Sequence, residues 1–560
     1  MRSIPYTTAA APLALAVAFA WATAAAVIAP LGAGQEASSG NTAAAANHAA
    51  PATAAGMPAS AVSASTEGRA SPADSVRAHA RAMNVVRTYL RRARPNTARD
   101  MRPDVVEQLD AYGREIPGDD WIIGHRVGMR VKQGWFTAAA NEAVRCQGTA
   151  WWCSALAGMA LHWEGSHEEA HQAFDRALAE MPRATRCQWA AELVHVLDGA
   201  TARSYGAANC DERIAMEDRI WWLADPLHVM PGNDRRSEHY ARLVSMHLHH
   251  ELLAAEGREP CSHDHHSGVI RHGWPEWWWG PGLPETGREG ARFMPRDAAF
   301  DAPLEAAPDA WDVETDVATE RYAPGYGTVR NLEHQVAFFL DRDSILAVAA
   351  ATFGRTRLGG VAFTRNETEP PRVIRAPEGG ALVLAGRLPV DAWVVSIESM
   401  REPSGVVRAR FGHRLPDATE AGLRLSDIVL VSWVEALQPT LESVAPRMLP
   451  TTRFARSRPV ALYWEVYGVS DTTAVDIALS AEPDDPGLLA RIGQSLRLAT
   501  PRDGVAVRWQ EQGDEPGILR SQTRIDFSSL PAGRYVLRLE ISQGDGPPAV
   551  ARRAIELVDP

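Results

Sequence analysis

The spacing of apolar residues changes near residue 320 and divides the chain into a part with helical periodicity and a part with strand periodicity. After Asp74 the apolar residues recur every three or four positions, as on one face of a helix, at Val76, Met83, Val85, Val86 and Leu90. The stretch from Trp121 to Arg145 repeats this spacing. We therefore expect residues 74–218 to form an all-helical region.

Residues 151–182 match a tetratricopeptide unit at its small and large positions. These positions are Gly158, Gly165, Ala170, Phe174, Ala177 and Pro182, while Ser154 and Ala157 replace the usual leading Trp and Leu. Small residues let two antiparallel helices approach, Phe174 fills the space between them, and Pro182 ends the second helix. Because one repeat cannot bury its hydrophobic face alone, we expect residues 121–146 to form a degenerate neighbouring repeat.

Beyond residue 320, apolar and β-branched runs separated by Gly and Pro turns predict strands. The runs are residues 335–340, 345–353, 381–385, 393–397, 406–411 and 423–433, then 461–469, 473–480, 505–510, 524–527, 535–541 and 549–558. A proline-bounded break at residues 437–450 favours two domains, residues 321–436 and 458–560, joined by a linker at residues 437–457. The predicted fold class is multidomain α plus β: N-terminal tetratricopeptide-like α-helical repeats followed by two antiparallel β-sandwich domains.

The N-terminal segment indicates export. Arg2 precedes an uncharged run to Gly34, so residues 1–34 are interpreted as a signal peptide or an uncleaved N-terminal anchor. A membrane partner is expected only if this segment is not cleaved. Residues 35–73 are mostly Ala, Ser, Thr, Gly and Pro, which predicts a disordered linker. The expected location is therefore periplasmic, secreted or anchored in the cell envelope.

Charge and cysteine content narrow the class of protein. The formal net charge of −12 over 560 residues provides no basic surface for nucleic acid, so we exclude a nucleic-acid partner. Five cysteines fit an exported protein. We expect two disulfides, among Cys146 and Cys153 and among Cys187 and Cys210, with Cys261 left over; five buried free thiols are the alternative.

The junction between the two parts, residues 219–320, has an unusual composition. The stretch from Trp221 to Gly280 holds six of the 18 tryptophans and nine of the 18 histidines. Clustered opposite charges favour a structural network over a ligand site, because unpaired buried charge is costly. The predicted junction residues are Trp221, Trp222, Asp225, Asn233, Arg236, Glu238, His239, Arg242, Gly273 and Trp274.

Two patterns suggest metal ligands. His167, Glu168 and His171 fit the H-E-x-x-H pattern, in which two imidazoles on one helix face bind zinc and the glutamate activates water. Each also has a structural explanation, because Ser166 is expected to cap this helix and Glu168 suits its first turn. If Asp234 caps the following helix, His247, His250 and Glu251 share a face and are a second possible triad, completed by the histidine-rich loop 263–266.

The segments WWLADPL and GNDRRSEHYARL, followed by RHGWPEWW, resemble the region around the naming motif of GWxTD domain-containing proteins. The strands LSDIVL, LYWEVYG and LPAGRYVLRLEI resemble the sandwich strands of that family. Gly273 and Trp274 are present, but Pro275, Glu276 and Trp277 replace the x-Thr-Asp part, so the resemblance implies a divergent member. It implies an exported bacterial protein of this architecture without an established reaction.

These observations predict a non-enzymatic, exported scaffold or binding protein of the cell envelope with protein or envelope partners. No cofactor is expected. The alternatives are a zinc-dependent hydrolase that uses His167, Glu168 and His171, a protein that stores or senses metal through residues 263–266, and a carbohydrate-binding surface protein in which Trp277, Trp278 and Trp279 are exposed.

Overall fold

The computed structural model describes residues 71–92, 98–255, 263–273, 277–279, 290–292, 300, 302, 304, 306–308, 329–353, 358–377, 381–400, 405–419, 422–434, 439–470, 474–484, 505–512, 517–544 and 546–560. The described residues all belong to one compact unit, residues 67–560. The predicted export segment 1–34, nearly all of the predicted linker 35–73, Cys261 and Trp274 lie outside the described residues. Within the described ranges, no helix has the length and apolar character needed to cross a membrane.

Helices fill the N-terminal half of the described chain, as the sequence predicts. They are α1 (Pro72–Arg92), α2 (Ala98–Glu115), α3 (Asp120–Gln133), α4 (Phe136–Val144), α5 (Ala150–Glu164), α6 (His167–Glu180), α7 (Arg183–Glu192), α8 (Gly199–Ala207), α9 (Cys210–Leu223), α10 (Asp234–Ala255) and α11 (His263–His272), whereas the short α12 (Leu441–Val444) lies among the strands of the C-terminal half. A 3₁₀ turn at Leu193–Val196 follows α7, and another at Ala445–Arg447 follows α12.

Local chemistry accounts for several helix ends. Asp119 accepts a hydrogen bond from the Ile122 N–H at 3.0 Å and starts α3, while Gly134 ends it with a left-handed φ of +83°. The buried face of α1 consists of Ala78, Ala82, Val86 and Tyr89, whereas Val76 is 70% exposed. The predicted apolar stripe is therefore wrong at Val76, because small alanines form the contact face.

The close approach of α5 and α6 has the predicted small-residue basis. A Cβ added at Gly158 would lie 2.8 Å from the Phe174 ring, so only glycine leaves room for that ring. Phe174 is fully buried in the main helical core. Both expected disulfides are present, and they join Cys146 to Cys153 and Cys187 to Cys210.

Strands fill the C-terminal half, again as predicted. They are β1 (Trp277–Trp279), β2 (Gly290–Arg292), β3 (Val329–Asn331), β4 (His334–Asp341), β5 (Ser344–Thr352), β6 (Leu358–Thr364), β7 (Arg372–Arg375), β8 (Ala381–Pro389), β9 (Trp393–Met400), β10 (Val406–His413), β11 (Arg424–Leu425), β12 (Val429–Ser432), β13 (Arg453–Ala455), β14 (Val460–Val469), β15 (Val475–Pro483), β16 (Val505–Glu511), β17 (Gly517–Ile525), β18 (Gly533–Ser542) and β19 (Ala549–Val558).

The strands form four main sheets and a β1–β2 ribbon. Sheet 1 has the order β3-β10-β9-β6-β7, sheet 2 has β4-β5-β8, sheet 3 has β11-β14-β12 with β17 also on β14, and sheet 4 has β13-β19-β18-β15-β16. Pairing is antiparallel in the described strands except where β3 joins β10 and β13 joins β19.

Successive hydrophobic cores join the helices and the four sheets in sequence. Because neighbouring residues of a strand point to opposite faces, Phe338 of β4 lies in the core that sheets 1 and 2 share, whereas Phe339 lies in the core between sheets 2 and 3. Likewise, Tyr463 of β14 faces sheet 2, and Trp464 faces sheet 4. Val394 of β9 belongs to the main helical core, so sheet 1 packs against the helices.

This layering differs from the predicted division into residues 321–436, a linker and residues 458–560. The predicted strand 423–433 is split into β11 and β12, and both pair with β14 from beyond the predicted linker. The predicted linker 437–457 contains α12, a 3₁₀ turn and β13, and Met448 forms a bridge to Val431. The physical reason is that strand pairing is non-local, so a proline-rich break in the sequence does not identify the sheet that a strand joins.

Candidate functional site

Trp221 and Trp222 end α9 inside the protein, with exposed fractions of 3% and 8%. The Trp221 ring lies 6.0 Å from the Phe300 ring. Trp222 donates its indole N–H to Thr364 Oγ1 of β6 at 2.8 Å, and the Arg219 guanidinium covers its ring at 4.5 Å. Trp222 therefore lies between the helices and sheet 1, Trp221 is buried beside Phe300, and the two do not form an exposed face.

The loop that follows, residues 224–233, is held by charged side chains of sheet 1. Glu398 of β9 accepts hydrogen bonds from the main-chain N–H groups of His228 at 3.1 Å and Val229 at 2.9 Å. Arg410 of β10 donates to Glu398 at 2.9 Å and to the Asp225 carbonyl at 2.7 Å. Neither the Glu398 nor the Arg410 side chain is exposed. We call this contact the seam: the loop 224–233 together with Glu398, Arg408 and Arg410.

Arg408 completes the seam from the same strand as Arg410. It donates to the Pro226 carbonyl at 2.7 Å. Buried carbonyl and N–H groups need hydrogen-bond partners. In this irregular loop, the side chains of Glu398, Arg408 and Arg410 provide the partners that a helix or a sheet would otherwise supply. The seam thus provides hydrogen-bond partners for a buried loop that belongs to neither a helix nor a sheet.

Asn233 begins α10 and ties it back to α9. Its side-chain oxygen accepts from the Arg236 N–H at 2.9 Å, and its side-chain nitrogen donates to the Trp221 carbonyl at 2.7 Å. The N-cap of α10 is thus Asn233, and the predicted capping residue Asp234 is the first residue of the helix. Asn233 is well suited to this position because its short amide satisfies an otherwise unpaired N–H group.

Arg236 links α10 to α6, where the H-E-x-x-H residues lie. Its guanidinium donates to Asp175 at 2.6 Å and lies 3.2 Å from His171 Nδ1. Burial and the neighbouring Arg236 charge lower the pKa of His171. The His171 ring is therefore already in contact with a positively charged group, the Arg236 guanidinium.

The other two residues of this pattern have surroundings that differ from those of His171. His167 begins α6 with its ring 5.3 Å from that of His162, and Glu168 is exposed. A Cβ added at Gly232, where φ is +78°, would lie 2.6 Å from the His167 carbonyl oxygen. The start of α6 is therefore packed against the seam loop. Ser166 occupies the N-cap position but makes no side-chain capping bond, unlike the prediction.

Glu238, His239 and Arg242 line the buried side of α10. Arg242 pairs with Glu238 and donates to the Ile270 carbonyl at 2.7 Å, which anchors the last turn of α11. Gly273 then ends α11 with a φ of +83°. Burial lowers the pKa of His239 to about 3. Arg242 thus holds the last turn of α11, and Gly273 ends the helix one residue before Trp274.

The histidine cluster is arranged differently from the prediction. Residues His263–His266 form the first turn of α11 and are not a loop, in keeping with the favourable position of Asp264 at a helix start. His247 and Glu251 pair at 3.5 Å on α10, and Glu251 also lies 3.4 Å from His125. His250 points elsewhere, with its ring 5.3 Å from that of His266. The structure therefore does not bring His247, His250 and Glu251 together.

A different trio does converge. Glu192 Oε2 lies 2.6 Å from His266 Nε2 and 3.4 Å from His195 Nε2. Within the described part of the chain, this is the group of three whose potential metal-ligand atoms all lie within 4.8 Å of one another. Burial would raise the pKa of Glu192, but hydrogen bonds and charges from His195 and His266 lower it to about 2.

A cleft of about 610 Å³ opens on the β-sheet side. Its charged lining comprises Arg365, Glu369, Asp391, Arg414, Asp417 and Arg424. Arg365 pairs with Glu369 and with Asp391 at 2.8 Å, and Arg414 pairs with Asp417 at 2.7 Å. The cleft is polar and carries both signs of charge.

Sequence reasoning missed the residues that act across long separations. Arg408 and Arg410 lie in the predicted strand 406–411, and Glu398 directly follows the predicted strand 393–397, but no role is predicted for them, although charges in or beside apolar strands are a usable signal. Glu192 and His195 are three apart, but 71 positions separate His195 from His266, and no local pattern connects them.

No family model and no curated protein matches this chain. Similar solved structures include red sea bream transglutaminase, which is 9% identical, with 41% of this chain and 32% of that chain covered at a TM-score of 0.13. The chain thus spans about a third of the transglutaminase length. A structure of the receptor tyrosine kinase Torso is 5% identical, with 42% and 76% covered at a TM-score of 0.12. TM-scores of this size carry no argument about fold or function.

Proposed function

We propose that the protein is an exported, non-enzymatic scaffold of the bacterial cell envelope, and a divergent relative of GWxTD domain-containing proteins. In this proposal the helices form a short tetratricopeptide-like stack and the sheets form sandwich layers. The observation that carries it is the seam. Glu398 and Arg410 form a buried ion pair, and Glu398 binds the main chain of loop 224–233; this contact between the helices and sheet 1 supports a scaffold role.

The partners of the junction residues support a structural role. Trp222 is bound to Thr364, Asn233 to the Trp221 carbonyl, and Arg242 to the Ile270 carbonyl. A site that binds a ligand needs polar groups directed at that ligand. The polar groups named here are directed at main chain and side chains of the protein.

The zinc-hydrolase alternative is less favoured by the geometry. Arg236 lies 3.2 Å from His171 Nδ1, so a metal at this histidine would bind beside a buried guanidinium. His167 is turned towards His162, with 5.3 Å between the ring centroids. A metallohydrolase needs several ligands around one open position, and these two imidazoles have separate neighbours.

Affinity capture from an envelope fraction tests the scaffold proposal. We expect the same partner proteins to be retained by wild type tagged at either end, and to be lost when Glu398→Ala uncouples the helices from sheet 1. His171→Ala serves as the control that addresses the hydrolase alternative and should retain them. If wild type captures no partner with either tag, the scaffold proposal is wrong.

The mixed-charge cleft favours a second candidate, the binding of a polar ligand such as a glycan segment. Its arginines and carboxylates offer hydrogen-bond donors and acceptors around about 610 Å³. The side chains of Trp277–Trp279, on which the carbohydrate hypothesis depended, lie outside the described residues. Glycan-array binding that Asp417→Asn and Arg365→Ala both abolish would support this candidate, and an array without signal would reject it.

A further inference from the structure

The trio at the start of α11 has the chemistry of a metal site. Two imidazole nitrogens, His195 Nε2 and His266 Nε2, approach the same carboxylate oxygen, Glu192 Oε2, at 3.4 and 2.6 Å. Zinc takes imidazole and carboxylate ligands at about 2.0–2.2 Å, which places tetrahedral ligand atoms roughly 3.3 Å apart. The His195 separation already fits, and the His266 separation needs to open by less than about 1 Å.

We propose that Glu192, His195 and His266 bind one divalent transition-metal ion of the zinc class, and that this ion fastens the start of α11 to the turn that follows α7. Three protein ligands leave a fourth position for water. The two-nitrogen, one-oxygen set suits zinc, cobalt and nickel better than calcium or magnesium, which prefer oxygen ligands throughout. The inference is independent of the proposed scaffold role.

Access and enclosure both suit an ion. The side chains of Glu192, His195 and His266 are 28%, 14% and 18% exposed, so the trio is reachable from solvent and mostly shielded from it. His250 stacks on His266 at 5.3 Å between ring centroids, and among the described residues its buried Nε2 has no hydrogen-bond partner. A further imidazole ring therefore lies next to His266.

The position of the trio gives the ion a structural consequence. His266 lies in the first turn of α11, while Arg242 holds the last turn through the Ile270 carbonyl at 2.7 Å. Without metal, the first turn is attached to the α7 corner by the contact of His266 with Glu192 at 2.6 Å. A bound ion would fix the first turn more firmly, so that both ends of α11 would be held, one by the ion and the other by Arg242.

Metal binding by the untagged mature protein tests this inference. After removal of metal, isothermal titration with Zn²⁺ and absorption with Co²⁺ should show one ion per chain, with the intense visible bands of a four-coordinate cobalt site. Zn²⁺ should also raise the melting temperature as its concentration increases, because it binds the native state. Less than half an ion per chain would overturn the proposal.

Variants assign the site. Glu192→Gln preserves shape and removes the charged ligand, and His266→Ala removes one nitrogen; each should weaken zinc binding at least tenfold and abolish the melting shift. His171→Ala is the matched control on α6 and should bind zinc as wild type does. If His266→Ala proves unfolded in the absence of metal, Glu192→Gln decides. Unchanged affinity in Glu192→Gln, or loss of binding in His171→Ala, would place the ion elsewhere.

Discussion

The Glu398 carboxylate and the Arg410 guanidinium lie 2.9 Å apart, and neither side chain is exposed to solvent. Glu398 also accepts the N–H groups of His228 and Val229, and Arg410 donates to the Asp225 carbonyl. A buried ion pair gains little net stability from its charges alone, but removal of one partner leaves the other uncompensated. The pair therefore positions the seam loop against sheet 1.

Glu398→Ala should destabilise the protein by about 3–5 kcal/mol, because it leaves Arg410 buried without its counter-ion. Urea unfolding followed by helical circular dichroism and by tryptophan fluorescence measures the loss. We expect the midpoints from the two probes to separate in this variant.

Replacement of both charged partners provides the control. In Glu398→Met with Arg410→Met, the combined loss should be smaller than the sum of the two single losses by at least about 1 kcal/mol, because no lone charge remains. Strict additivity would show that the two side chains are not energetically coupled.

Gly232→Ala should cost roughly 2–4 kcal/mol. It combines an unfavourable left-handed conformation with a Cβ 2.6 Å from the His167 carbonyl oxygen, where main chain has to move. Gly134→Ala is the matched control, since its φ is +83° and no described atom lies within 4 Å of the added Cβ. Equal losses in thermal unfolding would refute the close contact between the seam loop and α6.

Thr364→Val should lower stability by about 1–2 kcal/mol, because it removes the acceptor of the Trp222 indole N–H while the volume is preserved. Thr364→Ser retains the hydroxyl and should therefore lose less stability than Thr364→Val. The fluorescence maximum of the folded protein provides a second readout, and a larger loss in the serine variant would contradict the hydrogen-bond account.

Acid should weaken the fold between about pH 6.5 and pH 3. Burial lowers the pKa of both His162 and His239 to about 3, whereas an unfolded histidine titrates near pH 6.5. Above pH 6.5 these histidines are neutral in both the folded and the unfolded state, so they do not reduce the stability of the fold. As pH falls, the unfolded chain takes up protons that the native state refuses, so each histidine reduces stability by up to about 1.4 kcal/mol per pH unit.

Urea midpoints at pH 7.5, 6.5 and 5.5 measure this dependence. The midpoint should change little between pH 7.5 and 6.5 and should fall between pH 6.5 and 5.5. In His162→Gln the midpoint should fall less steeply than in wild type. A midpoint that rises on acidification would show that these rings are not buried as neutral groups.

The sequence allowed correct predictions where local pattern determines structure. Strands such as β5 and β14 follow from period-two and β-branched runs, and the approach of α5 and α6 follows from Gly158 and Phe174. It failed where distant segments meet. Nothing local indicates that Val429 pairs with Tyr463 across the predicted linker, or that Tyr463 and Trp464 face different cores.

The candidate sites show the same limit. The network around Asn233 and Arg236 is predicted because opposite charges are adjacent in the sequence. Glu398, which binds the main chain of the preceding loop, lies more than 160 positions away from them. The H-E-x-x-H pattern attracted attention because its spacing is local. The trio that converges joins Glu192 to His266 across 74 positions, and only the fold brings those atoms together.

Hydroxyl-radical footprinting with mass spectrometry tests most directly whether the tryptophan-rich junction is buried between the helices and the sheets. Trp135, which is 41% exposed, is the internal reference for Trp221 at 3% and Trp222 at 8%. We predict that Trp221 and Trp222 oxidise at least tenfold more slowly than Trp135 in the folded protein, and at similar rates in urea. Oxidation of Trp221 or Trp222 at the rate of Trp135 in the folded protein would contradict the burial of the junction and would make it an exposed binding face.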